Sequence, residues 1–83
     1  MILSPAVQPH VVVTRYTTAK EEDTDALLAE LFKVAAACRS QQDVLTFYPM
    51  KRLDGVYTEI TVFERYTSES GYQRASKDLR DLR

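Results

Sequence analysis

The sequence predicts one small α+β domain with the element order β-α-β-β-α. Three observations carry that reading. Two runs dense in β-branched and aromatic residues, at 10–18 (HVVVTRYTT) and 55–66 (GVYTEITVFERY), flank the middle of the chain. Between them lies a long segment with apolar residues at helical spacing. An Asp54-Gly55 pair then separates the last run from a further strand-like stretch.

Taken in order, residues 1–9 hold Pro5 and Pro9 and are expected to be an irregular lead-in. The first strand, 10–18, sends Val11, Val13 and Arg15 to one side and His10, Val12, Thr14 and Tyr16 to the other. An acidic turn at 19–23 enters a helix over about 22–39. Asp23 or Thr24 is placed to cap its bare N–H groups, and Glu21, Glu22 and Asp23 suit the positive end of its dipole. Leu27, Leu28, Leu31, Phe32, Val34, Ala35 and Cys38 form its apolar stripe, and the alanine run 35–37 permits close approach to a sheet. The polar residues 40–43 read as the loop that leaves the helix.

The second strand spans 44–52 (VLTFYPMKR), where Pro49 removes a ladder donor and implies an edge position or a bulge. Residues 53–55 read as a tight hairpin turn. In the third strand, Val56, Thr58, Ile60, Val62, Glu64 and Tyr66 share one face, and Tyr57, Glu59, Thr61, Phe63 and Arg65 share the other. The first of these faces is apolar until a carboxylate and a phenol appear at its far end. Ser68 is placed to cap a second helix running through Tyr72, Ala75, Leu79 and Leu82, and the mixed charges of 77–83 (KDLRDLR) read as a solvated helix face. A hairpin after a crossover helix makes this a split βαβ, the ferredoxin-like arrangement. Such folds end with a fourth strand. No strand-like run follows the second helix, so the final strand is expected to be missing from this chain.

Bulk properties narrow the function. Eighty-three residues make one domain, residues 1–83, with a modest core, and at this size a partner subunit often completes it. Eleven basic residues against twelve acidic ones give no electrostatic case for nucleic acid or an acidic membrane. One cysteine makes no internal disulfide, and a single His with no companion at ligand spacing makes no metal site. The opening MILSPAV lacks a basic n-region, and no apolar run approaches the ~20 residues of a membrane span, so a cytoplasmic protein is expected.

Several motifs in this order resemble the antibiotic-biosynthesis-monooxygenase (ABM) domain family, of the dimeric α+β barrel superfamily. The resemblance runs from about Val11 to Leu82. It rests on the first strand with its acidic helix start, on Asp43-Val44-Leu45-Thr46-Phe47-Tyr48, and on Phe63-Glu64-Arg65-Tyr66 followed by Ser68. At the last motif the family often has an apolar residue, Glu, Arg and Trp before a Ser-led helix. The resemblance implies a homodimer with facing sheets, a ligand cavity between sheet and helices, and no cofactor. In members that are enzymes it also implies oxygenation of an aromatic, quinol or polyketide-like substrate. Haem-degrading relatives use an Asn, a Trp and a His; this chain has no Asn and no Trp, and Tyr66 stands where the Trp would be, so the resemblance does not extend to them.

The candidate catalytic residues are His10, Tyr48 and Glu64, and the candidate substrate contacts are Tyr16, Tyr66 and Arg65. Glu64 in line with Ile60 and Val62 reads as a base for a phenolic proton, or as a structural carboxylate bound to Arg15, Arg65 or backbone N–H groups. His10 is the one imidazole, a residue type that ordinarily titrates near neutrality, or an exposed strand-end residue of no purpose. Tyr48 and Tyr66 end their strands on faces shared with apolar residues, which suits a cavity, while tyrosines suit a dimer interface equally. Cys38 reads as a buried small hydrophobe. A deprotonated hydroquinone can pass an electron to O₂ directly, so such a site needs a dry cavity, a base and donors near the developing anion. A non-catalytic binding or accessory domain, and an isomerase or cyclase, are the other readings.

Overall fold

The alternation of the last strand organises the molecule. In the computed structural model, which describes residues 9–80 and side chains through Lys77, this strand (β3, Glu59–Tyr66) is the centre of a three-stranded antiparallel sheet. The first strand (β1, His10–Thr17) lies on one side, with His10 opposite Tyr66 and Tyr16 opposite Ile60. The second (β2, Val44–Lys51) lies on the other, giving the order β1-β3-β2. Two helices, α1 (Glu21–Cys38) and α2 (Glu69–Arg80), complete the order β-α-β-β-α. This is the ferredoxin-like split βαβ.

Burial follows the alternation. Ile60, Val62 and Tyr66 are essentially inaccessible, and α1 packs over them through Leu31, with Tyr16, Leu27, Leu28 and Phe47 filling in around. A second cluster joins Val34 and Cys38 to Val44 and Phe47. Among the described residues, no helix lies on the opposite face of the sheet. There Val11, Val13, Tyr48 and Met50 stand exposed.

Pro49 sits in edge strand β2, opposite Val62, where its missing N–H costs no ladder bond on the unpaired side. A bulge also occurs in that strand. Val44 pairs with Tyr66, Leu45 is skipped, and Thr46 pairs with Arg65.

Four expectations are corrected. The Asp-Gly pair does not make a tight hairpin: β2 and β3 are joined by residues 52–58, with Arg52 N–H donating to the Glu59 carbonyl at 3.0 Å. Arg52 holds the Asp54 carboxylate through Nε at 2.6 Å and Nη2 at 3.1 Å, which fixes a wider loop, and Gly55 takes a φ of 98° within it. Val56 is therefore an exposed loop residue and lies outside the core-facing set of β3. The start of α1 has no side-chain cap: Lys20 is the N-cap, and Thr24 is buried inside the helix, its Oγ1 donating to the Lys20 carbonyl at 3.2 Å and bonded to Thr18 Oγ1. That leaves Thr24 to tie the end of β1 to α1. Phe32 departs from the buried stripe and is half exposed. The three acids of the first turn are present as expected.

The cap of α2 is as the sequence predicts, with Gly71 N–H donating to Ser68 Oγ at 3.0 Å. Small residues Gly71 and Ala75 face inward and let α2 lie close. A Cβ at Gly71 would stand 2.7 Å from Thr67 Oγ1 and 3.0 Å from Asp43 Oδ1. Asp43 is the hub here. It accepts from Thr67 Oγ1 at 3.2 Å and from Arg74 Nε and Nη2 at 3.0 Å each, while its carbonyl accepts Thr67 N–H at 2.9 Å. The lead-in at 1–8, the side chain of Leu79 and the residue Leu82 lie outside the described residues.

Candidate functional site

Two constellations arise from this packing. The first lies at the end of β3, where the strand's inward row turns polar. Tyr66, about 1% exposed, donates its phenolic hydrogen to Glu64 Oε1. Residues two apart on a strand lie on one face, so the pair forms without any distant element. Tyr72, from the first turn of α2, packs edge-on against Tyr66 with ring centroids 4.9 Å apart. His10, the strand partner of Tyr66, also packs against Tyr72, in a tilted arrangement with ring centroids 4.9 Å apart. Burial first, then the bond to Glu64 and its charge, push the Tyr66 phenol far up, so it remains a donor. Burial and the same Glu64 charge push the Cys38 thiol up to about 11, which keeps it protonated.

The second constellation is a groove of about 330 Å³ between the end of α1 and the edge strand β2. Ala35, Cys38, Val44, Phe47 and Pro49 give it an apolar floor, and Arg39 and Tyr48 stand at its sides. The two constellations meet at one wall. Cys38 lines the groove and feels the charge of Glu64, and Phe47 lines it and is the strand partner of Glu64.

Of the expected site residues, the fold brings together His10, Glu64 and Tyr66. Glu64 has neither Arg15 nor Arg65 as its partner, since both arginines point from the other face of the sheet. Its partner is Tyr66. Tyr16 lies on the helix side but at the far end of β1, opposite Ile60, and packs into the core there. Six residues of extended strand put it roughly 20 Å from His10.

Tyr48 is the clear correction. It does not share the cavity side with Tyr66 but lies on the open face opposite Phe63, 59% exposed. The bulge is the reason: the extra residue at Leu45 inverts the alternation, so that Phe47 turns to the helices and Tyr48 away from them. Arg65, opposite Val11 and Thr46, is likewise on the open face and not with Glu64. Tyr72, Phe47 and Arg39 were not singled out by the sequence. Tyr72 was legible in principle as the fourth residue after the Ser68 cap, on the side of α2 that carries Ala75 three residues later.

Among the described residues there is no group of three His, Cys, Asp or Glu able to hold a metal ion, and no helix is long and apolar enough to cross a membrane. No family model matches the chain, and no curated protein matches it. Among solved structures, it is similar to that of Rv0793 from Mycobacterium tuberculosis, with a TM-score of 0.68 and 22% sequence identity, covering 89% of this chain and 78% of that chain. At that identity the likeness shows the fold: a small α+β protein of the ferredoxin-like arrangement.

Proposed function

We propose that this protein is a small cytoplasmic ABM-type monooxygenase that works as a homodimer, without a cofactor, on an aromatic, quinol or polyketide-like substrate. The observation that carries this is an apolar groove of ring-compound size backed by a half-buried carboxylate, Glu64, across a wall shared by Cys38 and Phe47. The substrate's ring lies on the apolar floor. In this reading the substrate hydroxyl passes between Cys38 and Phe47 to reach Glu64, which is steadied by Tyr66 and takes its proton, and His10, against Tyr72 of the same cluster, is a further proton acceptor. The anion passes one electron to O₂, and the resulting radical pair combines to a peroxide anion that takes the proton back from Glu64 to become a hydroperoxide. Loss of water then leaves a new carbonyl on the substrate, one oxygen atom going to product and one to water. The homodimer reading is supported by the helix-free face, where Val11, Val13, Tyr48 and Met50 leave an apolar surface that a second copy would cover.

The test is oxygen uptake with hydroquinones, anthrones and catechols in chelated, flavin-free buffer. Uptake that scales with protein and falls at least tenfold in Glu64→Gln, in keeping with loss of a general base, supports the proposal. A second reading, a non-catalytic binding domain, is favoured by one observation: Leu31, Ile60, Val62 and Tyr66 fill the space between sheet and helices, and Tyr66 and Glu64 already satisfy one another. Binding without uptake selects that reading. Turnover that proceeds without O₂ selects an isomerase or cyclase.

A further inference from the structure

The groove between α1 and β2 has one charged residue in its lining, Arg39, and the surroundings of that guanidinium are unlike those of its neighbours. Arg52 is held by Asp54 and Glu59, Arg74 by Asp43, and Lys51 by Glu21 and Asp25. Among the described residues, Arg39 has no ion-pair partner. The nearest acid to it in sequence, Asp43, is taken by Arg74 and Thr67. Nor is the side chain used in ending the helix. The last carbonyls of α1 are satisfied by backbone N–H groups of Arg39, Ser40 and Gln41 and by Ser40 Oγ.

We propose that this groove binds an aromatic carboxylate, with the ring on the floor made by Ala35, Val44, Phe47 and Pro49 and the acid group on Arg39. The inference rests on the reading of the groove as the substrate site and names the substrate's class. Volume and chemistry agree with it. About 330 Å³ is at the small end of ligand pockets and accommodates one or two fused rings. The small side chain of Ala35 leaves room beside the sheet. A guanidinium presents two parallel N–H donors to a carboxylate, a geometry no other group in the lining offers.

The experiment compares 2-naphthoate with its methyl ester on the intact protein, by calorimetry and by backbone amide shifts. The acid is expected to bind roughly three- to tenfold more tightly, the range for a partly exposed charged contact, with the advantage shrinking as salt is added. Arg39→Gln is expected to make the two ligands equal, while Arg39→Lys retains part of the preference. Because Arg39 is exposed and unpaired, both variants are expected to keep the wild-type melting temperature, and circular dichroism checks this. Ala35→Leu is expected to weaken acid and ester alike, which locates binding in the groove. Equal affinity for the ester, a preference that survives Arg39→Gln, shifts that map elsewhere, or no binding of either compound would each overturn the inference. The two proposals fail separately. An acid preference lost in Arg39→Gln, without oxygen uptake on any substrate, leaves this inference standing and removes the oxygenase. Oxidation of neutral quinols with no preference for acids does the reverse.

Discussion

The two faces of the sheet are built from the same three strands, and they meet opposite fates. On the helix side Ile60, Val62 and Tyr66 lie beneath α1 and α2, and the one carboxylate among them, Glu64, is met by a phenol two residues away. On the open side Val13 is 57% exposed, and Arg15 and Arg65 flank it without an ion-pair partner among the described residues. Alternation alone assigns residues to the two faces. What separates them energetically is what covers each. The helix side carries the stability of the single chain, and the open side contributes little until another surface covers it.

The sharpest way to break that contrast is truncation on each side. Ile60→Ala should cost about 2–5 kcal/mol in urea unfolding, through lost transfer energy and a cavity. Val13→Ala, at a comparable position on the open side, should stay within about 0.5 kcal/mol for the monomer. Equal losses would mean that both faces are already covered. Tyr66→Phe is next in size. It strips Glu64 of the donor that the fold supplies, and should cost about 1–3 kcal/mol by denaturant titration. Tyr48→Phe on the open side should cost almost nothing, and a large effect there would show that Tyr48 is packed in solution.

Gly71→Ala sharpens the comparison at the margin of the helix side. Alanine is the better helix former by about 1 kcal/mol, yet its Cβ would press on Thr67 Oγ1 and Asp43 Oδ1. Net destabilisation of about 1 kcal/mol is expected from overpacking, and a higher melting temperature would show that α2 is free to lift away. The smallest effect is the acid limb. The bond from Arg74 lowers the Asp43 carboxyl below its ordinary value of 3.8. A depressed folded value means stability that is present above pH ~4 and is lost as pH falls through the carboxylate range. Asp43→Asn should flatten the pH dependence of the melting temperature in that window. An unchanged slope would assign the acid limb to other carboxylates.

Much of this arrangement is legible in the sequence, for identifiable reasons. β3 follows strict period-two alternation across its whole length, so its two faces read directly from Ile60, Val62 and Tyr66 against Phe63 and Arg65. The pairing of Glu64 with Tyr66 lies within that same row, although Arg15 and Arg65 are the more obvious partners by charge. β2 fails to read for an equally physical reason. A bulge leaves no residue signature here beyond the hint from Pro49, and one skipped residue reverses every assignment after it. The β2–β3 connection misleads because Asp54 is held by Arg52 instead of shaping a two-residue turn. The groove was not legible, because it is formed by residues on two elements, α1 and β2, whose facing sides depend on that bulge.

The bulge has a consequence for how this chain tolerates change in length. Loss of a single codon at Leu45 would remove an exposed residue from a strand at the sheet's edge, a change that surface position suggests is mild. With the skipped position gone, Thr46 would follow Val44 directly in an unbroken ladder, and Thr46, Phe47, Tyr48 and Pro49 would keep their present partners and faces. The groove would keep its floor. The change that inverts the strand is one that draws Leu45 into the ladder, since every later residue would then exchange interior for exterior. The bulge is thus a one-residue slack: the strand can give up Leu45 and keep its interior, but it cannot pair Leu45 and do so.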